Sequence, residues 1–310
     1  MAGNGRPFLL MAFANVDESR PLGSLEREQR GISTALAPLV DKGRLDTSQV
    51  IEHASLEAIA AVFRSPEHRG RVRVFHYGGH ADADMLLLAD DDGKPGPGYG
   101  PGLADLLGRQ NGLELVVLNG CSTRDHIERL HSAGVRAVVA TCCNVMDDVA
   151  ASFSSNLYSL LASGVPLESA FDETSAFLRG KRGQDPRAFV YSDSAATPDW
   201  SDDWPWILSC NGASKQWTLL EQINEHELAD HLTMVISDQA TAQIILGRLG
   251  FPRSRIPRAN TALEFWVKAV HLLRNGVLAC GEQALVDEVA DLYPGHRYFN
   301  RHSTPTASGS

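Results

Sequence analysis

The chain has few of the features that mark secreted, membrane-spanning or metal-dependent proteins. It contains five cysteines in 310 residues, and their irregular spacing in mostly apolar segments predicts reduced thiols rather than a disulfide framework. No apolar run approaches the roughly 20 residues of a membrane-spanning helix. The histidines and cysteines show no metal-ligand spacing, so we expect no metal and no other cofactor. These absences predict a cytoplasmic protein that binds no membrane.

Positive charge and phosphate-binding loops are also scarce. The formal net charge is -10 and no strong stripe of Lys and Arg opposes it, which argues against nucleic acid as a partner. No Gly-rich loop with Lys and no G-x-G-x-x-G joins a strand to a helix, so a nucleotide-binding domain is disfavoured. The one segment that resembles an export signal, residues 8–14, runs into Asn15 and Asp17 without a cleavage region, and we predict that it is the first strand.

The hydrophobic pattern predicts an α/β unit first. Strands are predicted at residues 7–15, 49–54, 72–77, 115–118, 135–141 and 206–209, and helices at 25–39, 55–64, 103–107, 124–132, 147–162 and 166–178. This alternation predicts a mostly parallel sheet with helices on both faces. Residues 85–89 are predicted to form a hairpin-like piece, and residues 90–102, rich in Asp, Gly and Pro, a long loop.

The pattern changes near residue 219. From there to residue 292, four segments carry apolar residues at helical spacing with short connections, which predicts a small all-α unit. The predicted domains are therefore residues 1–212 and 218–301. The tail at 302–310 is rich in Ser, Thr, Pro and Gly and is predicted to be disordered.

Two of the predicted strands end on small-residue turns that carry a reactive side chain. His80 follows one strand and Cys121 follows another, and the carboxyl ends of parallel strands meet at one sheet edge, where ligands and catalytic groups collect. A cysteine attacks a carbonyl as the thiolate, and an imidazole is a suitable base. We therefore predict Cys121 as nucleophile, His80 as base, and the backbone N–H groups of Ala81 and Cys121 as the oxyanion hole.

Each of these residues also has a plain structural interpretation. A cysteine or histidine that ends an apolar strand is more often part of the core than of a catalytic site. The two together favour catalysis more than either does alone. His76, four residues before His80, is better explained as a packed or hydrogen-bonded core histidine.

Residues 76–81, His-Tyr-Gly-Gly-His-Ala, resemble the His-x-Ser-Gly-His-Gly signature of CHAT peptidases, a caspase-like group of clan CD related to separases and metacaspases. Residues 118–123, Leu-Asn-Gly-Cys-Ser-Thr, resemble their Leu-Ser-Ala-Cys-x-Thr. The resemblance covers about residues 7–212. It implies a caspase-like three-layer fold and a cysteine endopeptidase, a thiol protease in which His80 is the base and Cys121 the nucleophile.

The chain departs from this family pattern at three places. Gly78 stands where the family usually has Ser, Ala81 where it has Gly, and Asn119-Gly120 where it has Ser-Ala. Ala81 still offers its N–H to an oxyanion, provided that the turn does not require a positive φ, which alanine resists.

Aspartates suggest the substrate preference. The resemblance to separase-like members places an acidic residue beneath the first specificity pocket at the position of Asp147 and Asp148. Asp82, just after the His80 turn, is a further candidate for the groove. The alternatives are that one of the first two caps a helix and that the others are solvated. An acidic pocket predicts cleavage after Arg or Lys.

The C-terminal region carries a second resemblance. Residues 272–279 and the turn at residues 293–296, Tyr-Pro-Gly-His, resemble the end of a bacterial effector-associated domain, a death-fold-like bundle, with Trp266 in the expected helix. The resemblance implies a homotypic partner that recruits the enzyme, a protein substrate such as a pore-forming protein, and a role in prokaryotic antiviral defence or regulated cell death. The alternative from another class is a catalytically silent scaffold.

Overall fold

The computed structural model describes residues 6–17, 19, 21–90, 92–110, 112–183, 185–190, 204–210, 212–278, 281–296 and 298–299. It divides into two compact units between Glu221 and Gln222. The predicted domains, residues 1–212 and 218–301, stay a prediction, and the predicted tail at 302–310 lies outside the described residues. Within the described residues, no helix combines the length and apolar character needed to cross a membrane.

The described residues of the first unit form eight strands. They are β1 (Phe8–Ala14), β2 (Gln49–Ile51), β3 (Val72–Gly79), β4 (Met85–Ala89), β5 (Pro95–Tyr99), β6 (Leu115–Asn119), β7 (Ala137–Thr141) and β8 (Trp206–Cys210). Six of them form one sheet in the order β2-β1-β3-β6-β7-β8. All neighbouring pairs in this sheet are parallel except β7 with β8, which is antiparallel. β1, β3, β6 and β7 are buried along their whole length, as expected for strands covered on both faces.

In the part of the unit that the structure describes, seven α-helices accompany this sheet. They are α1 (Leu25–Asp41), α2 (Leu56–Arg64), α3 (Gly100–Gly108), α4 (His126–Ala133), α5 (Asp147–Ala162), α6 (Leu167–Arg182) and the short α7 (Gly212–Lys215). Apolar residues of α2, α3 and α4 share one core with the sheet, whereas α1 packs against α5 and α5 against α6. Helix, sheet and helix form three layers, which confirms the predicted caspase-like α/β fold.

The predicted loop at residues 90–102 is wrong in part. β5 pairs with β4 in an antiparallel hairpin, and α3 already begins at Gly100. The Asp90 carboxylate accepts the N–H groups of Asp92 (2.9 Å) and Lys94 (2.8 Å) and so closes the turn. A Cβ on Gly98 would lie 2.6 Å from the Leu88 side chain. Glycine and proline, which suggested a loop, thus permit a close two-stranded pairing.

The second unit is helical. Its helices are α8 (Leu219–Val235), which begins just before the boundary, α9 (Gln239–Arg248), α10 (Ala262–Leu272) and α11 (Gly281–Leu292). The side chains of Asp238 and Thr261 cap α9 and α10. Trp266 is fully buried and donates its indole N–H to the Ile236 carbonyl at 3.0 Å. This confirms the predicted all-α unit.

Candidate active site

The turns that carry His80 and Cys121 touch each other. β3 and β6 pair with Gly78 opposite Asn119, so His80 and Cys121 each lie two residues beyond the same pair. A Cβ on Gly120 would lie 2.7 Å from the Gly79 carbonyl oxygen and 2.9 Å from the Cβ of Ala81. Only glycine allows this approach, and the register of two strands therefore brings the predicted nucleophile and base to one place.

Buried hydrogen bonds fix the His80 turn. The Tyr77 hydroxyl donates to the carbonyl oxygens of His80 (2.6 Å) and Leu87 (2.9 Å), and burial raises the pKa of Tyr77 far above its ordinary value, so the hydroxyl stays a donor. The N–H of Leu87 donates to the carbonyl oxygen of His80, and the N–H of Asp82 donates to the carbonyl oxygen of Met85. Ala81 and Leu86 lie opposite each other between these two bonds and form a pair without hydrogen bonds of its own. The N–H of Ala81 is therefore not used in this pairing.

Helix α4 holds the segment that follows. The Nε2 of His126 bonds the Asp82 carbonyl at 2.9 Å, and since a carbonyl only accepts, this nitrogen carries the proton. Burial lowers the pKa of His126. The Arg129 guanidinium donates to the Ala83 carbonyl (2.7 Å) and to the Asp84 carboxylate (3.1 Å). The loop beside His80 is thus tied to a helix at three points.

Two buried threonines fix the Cys121 turn. The Thr141 hydroxyl donates to the Gly120 carbonyl, and the Thr123 hydroxyl donates to the Leu118 carbonyl at 3.0 Å while accepting the N–H of Thr141 at 2.9 Å. Ser122, next to the cysteine, has a φ of 53° and is the one non-glycine residue with positive φ in the described part of the chain. Such a conformation stores strain and persists only where its surroundings impose it.

The positive φ therefore falls on Ser122 and not on Ala81. The family's glycine at position 81 is replaceable here for this reason, and the alanine N–H stays available in an unstrained turn. Among the described residues, Cys121, Cys142, Cys143 and Cys210 form no disulfide. Cys280 lies outside the described residues.

A groove of ≈ 410 Å³ joins most of the predicted site residues. His80, Ala81, Asp82, Cys121 and Asp147 all line it. Its remaining walls are mostly apolar and comprise Pro21, Leu22, Met85, Leu87, Asn144 and Val145.

The three aspartates differ in their surroundings. Asp148 does not line the groove, because its carboxylate pairs with Arg182. Asp82 lines it, but its Oδ1 accepts the N–H groups of Asp84 (2.8 Å) and Met85 (2.9 Å) and so closes its own loop. Asp147 stands at the first position of α5, and partial burial raises the pKa of its carboxyl, although His80 and the N–H of Gly23 oppose that shift. Asp147 is thus coupled electrostatically to His80.

One residue of the site escaped the sequence analysis. Glu28 of α1 is 2% exposed, and its Oε1 accepts bonds from His76 Nε2 (3.0 Å), Asn119 Nδ2 (2.6 Å) and the Ser154 hydroxyl (2.6 Å). His76 is fully buried and also bonds the Tyr158 hydroxyl at 3.2 Å, in agreement with its interpretation as a hydrogen-bonded core histidine. A signal for Glu28 existed, because it lies four residues before Ile32 in the buried stripe of α1.

Comparisons with known proteins agree with this architecture. The sequence model of the CHAT domain matches residues 4–243, and that of effector-associated domain 1 matches residues 220–305. A search of the curated proteins found no match. Among solved structures, a secreted C11 cysteine protease from Bacteroides thetaiotaomicron, in complex with an irreversible peptide inhibitor, is similar with a TM-score of 0.44 and 8% identity over 74% of this chain and 70% of that chain.

The CHAT match spans well over half of the chain, and the effector-associated match covers the helical region from residue 220 onward. The chain belongs to the CHAT-domain family and is a caspase-like cysteine peptidase with a C-terminal effector-associated domain.

Proposed function

We propose that the chain is an endopeptidase that cleaves proteins after a basic residue, with Cys121 as nucleophile and His80 as general base. The observation that carries the proposal is that both side chains line one groove together with Asp147. A second support is the contact between their turns at Gly120.

The reaction would follow the order usual for a Cys/His pair. His80 takes the proton from the Cys121 thiol, and the thiolate attacks the carbonyl carbon of the scissile bond. The N–H groups of Ala81 and Cys121 donate to the resulting oxyanion. His80 then gives its proton to the leaving amine, and water activated by the neutral imidazole hydrolyses the thioester, which restores the thiol.

The preference for a basic residue rests on charge. Asp147 lies in the groove next to His80 and Cys121, and a cation bound there would offset the desolvation that raises its pKa. Asp82 would contribute less, since its carboxylate already accepts two backbone N–H groups. Asp148, paired with Arg182, would not contact the substrate.

The second part of the proposal concerns recruitment. The effector-associated match supports a C-terminal bundle that pairs with a homotypic partner and brings the peptidase to its protein substrate. Met234 and Ile244 are 73% and 59% exposed on this unit, and exposed apolar side chains are common at interaction sites. A prokaryotic defence or cell-death pathway in the cytoplasm, with a pore-forming protein as substrate, fits this arrangement.

Reporter peptides that carry Arg, Lys, Leu or Asp before the scissile bond test the proposal. We expect cleavage after Arg or Lys, loss of cleavage in Cys121→Ala, and retention in the matched control Cys210→Ala. A clear preference for Asp would discard the acidic pocket. The same pair of variants, incubated with proteins encoded beside this one, should show one defined cut that Cys121→Ala loses.

A further inference from the structure

Ser122, the residue after the predicted nucleophile, adopts a backbone conformation that serine rarely takes. Its φ of 53° lies in the left-handed region, which favours glycine and asparagine. Every other positive φ in the described part of the chain belongs to a glycine. Backbone outliers of this kind destabilise a fold and gather at functional sites, so the conformation of Ser122 indicates a role in the site.

The chain reverses its direction at Ser122. Up to the end of β6 it runs parallel to β7. The N–H of Ser122 then donates to the Cys143 carbonyl at 3.1 Å, and the N–H of Arg124 donates to a carbonyl two residues earlier, that of Thr141, at 2.9 Å. A later donor meets an earlier acceptor, so the two segments run antiparallel there.

The peptide unit before Cys121 is held in one orientation. All described peptide bonds are trans, and the C=O and N–H of a trans unit point in opposite directions. The Gly120 carbonyl accepts the Thr141 hydroxyl of β7, so the N–H of Cys121, in the same unit, points away from β7. The sheet order β3-β6-β7 places the turn that carries Ala81 on that other side. The N–H of Cys121 therefore points to the side of the second proposed oxyanion donor.

We propose that Ser122 is a positioning residue whose left-handed backbone aims the Cys121 N–H at the oxyanion. This inference rests on the proposed function, in which Cys121 is the nucleophile. With a negative φ at Ser122 the chain would continue along β7, and the bonds to Cys143 and Thr141 could not both form. The peptide units on either side of Cys121 would then lose their fixed orientation. The role belongs to this backbone conformation and not to the Ser122 hydroxyl, which donates to Asn144 Oδ1 at 3.3 Å.

Substitutions of Ser122 separate the backbone conformation from the hydroxyl. Ser122→Gly and Ser122→Asn lack the hydroxyl but adopt a positive φ readily, so kcat on a reporter peptide should stay within about threefold of the wild type. Ser122→Thr keeps the hydroxyl, but its branched Cβ resists a positive φ. We expect its kcat to fall at least about tenfold, towards the roughly 10²-fold loss that removal of an oxyanion donor causes. Ser132→Thr, the same change at an exposed position of α4, should match the wild type.

Two probes distinguish a misdirected amide from a displaced thiol. A peptide aldehyde forms a hemithioacetal whose oxygen occupies the oxyanion hole, so its inhibition constant should rise in Ser122→Thr by about the factor by which kcat falls. Iodoacetamide alkylates the Cys121 thiolate without forming an oxyanion, so the alkylation rate should change less than about threefold. Alkylation that slows by the same factor as kcat would mean that the substitution moved the thiol, and the inference would fail.

The order of the variants decides the remaining outcomes. Activity in Ser122→Thr with inactivity in Ser122→Asn would assign the role to the hydroxyl and overturn the inference. If Ser122→Thr does not fold, Ser122→Ala carries the test, because alanine lacks the hydroxyl as asparagine does but resists a positive φ. A kcat as high in Ser122→Ala as in Ser122→Asn would then overturn the inference.

A parallel measurement on Cys121→Ala separates this inference from the proposed function. If Cys121→Ala still cleaves the reporter peptide, the proposed function itself fails. If Cys121→Ala is inactive and the Ser122 variants do not follow the expected order, the inference alone fails.

Discussion

The cores of the two units are built differently. In the first unit the buried side chains include thirteen polar or charged ones, which are Glu28, Arg71, Arg73, His76, Glu114, Asn119, Thr123, His126, Thr141, Ser154, Thr174, Ser175 and Ser214. In the described part of the second unit no polar or charged residue is buried to this degree. Its core is apolar throughout, around Phe265 and Trp266.

Several of the buried polar groups of the first unit lie near the edge that carries His80 and Cys121. Glu28 joins His76 on the strand of His80 to Asn119 on the strand of Cys121, while Thr141 bonds the turn of Cys121. Fully satisfied buried networks fix geometry, whereas apolar burial supplies non-directional stability. The buried polar bonds therefore hold the atoms at the sheet edge in defined positions, whereas the core of the helical unit supplies stability.

We expect the largest effect from removal of His80, because the proposed catalytic residues belong to the first unit. His80→Ala should lower kcat/KM on short reporter peptides at least about 10³-fold, because Cys121 would then lose its proposed base. The midpoint of thermal unfolding should change little, since the His80 side chain is half-buried. Steady-state kinetics and calorimetry on the same sample check both parts. Retained cleavage in His80→Ala would contradict the assignment of the base.

We expect the next largest effect on the stability of the helical unit alone. Trp266→Ala should destabilise the helical unit by about 3–5 kcal/mol, because the ring is fully buried and its N–H is bonded. Cleavage of short peptides should stay unchanged, since the apolar core of each unit consists of its own residues. Chemical denaturation followed by fluorescence measures the loss of stability, and cleavage of reporter peptides measures the activity. Loss of peptide cleavage would contradict the view that each unit is stabilised by its own core.

Two threonines, one in each unit, allow the role of a buried polar bond to be compared directly. Thr141→Val removes the hydroxyl that donates to the Gly120 carbonyl and accepts the N–H of Thr123, and we expect a loss of about 1–3 kcal/mol together with a lower kcat. Thr233 bonds the Ala229 carbonyl within its own helix at 2.7 Å, so Thr233→Val should cost at most about 0.5 kcal/mol. Similar losses for the two variants would mean that the turn of Cys121 is not specially fixed.

The smallest effect concerns the pH dependence of stability. The pKa of the Asp147 carboxyl lies above its ordinary value of 3.8 because of burial, so the folded state binds this proton more tightly than the unfolded chain does. Folding therefore loses stability as the pH rises through the raised pKa. Asp147→Asn should unfold at a slightly higher temperature than the wild type near neutral pH, and the difference should vanish in acid. A difference in unfolding temperature that grows in acid would contradict a raised pKa of Asp147.

Much of this molecule could be predicted from its sequence, because the strands and their turns carry local signals. The runs before His80 and Cys121 are continuous and apolar, and the structure places both residues beyond one in-register pair of strands. Glu28 could not be assigned in the same way. Its place in the stripe of α1 indicates burial, but its partners come from β3, β6 and α5, and only tertiary packing decides that they converge.

Strand β5 was missed for a different reason. Its sequence, Pro-Gly-Pro-Gly-Tyr, has poor intrinsic strand propensity, and it pairs because the Asp90 turn directs it back along β4. The sequence could not show which of Asp147 and Asp148 lines the groove either, because the two side chains are identical. The partner of Asp148 is Arg182, 34 residues away, and no local pattern distinguishes the two aspartates.

Activation of the Cys121 thiol by His80 can be measured by covalent labelling. The wild type and His80→Ala are treated with an equimolar peptide electrophile that ends in arginine, and the modified residue is located by peptide mapping. We expect one adduct on Cys121 in the wild type and almost none in His80→Ala. An adduct on Cys142, Cys143 or Cys210 instead, or equal labelling of Cys121 in both proteins, would contradict it.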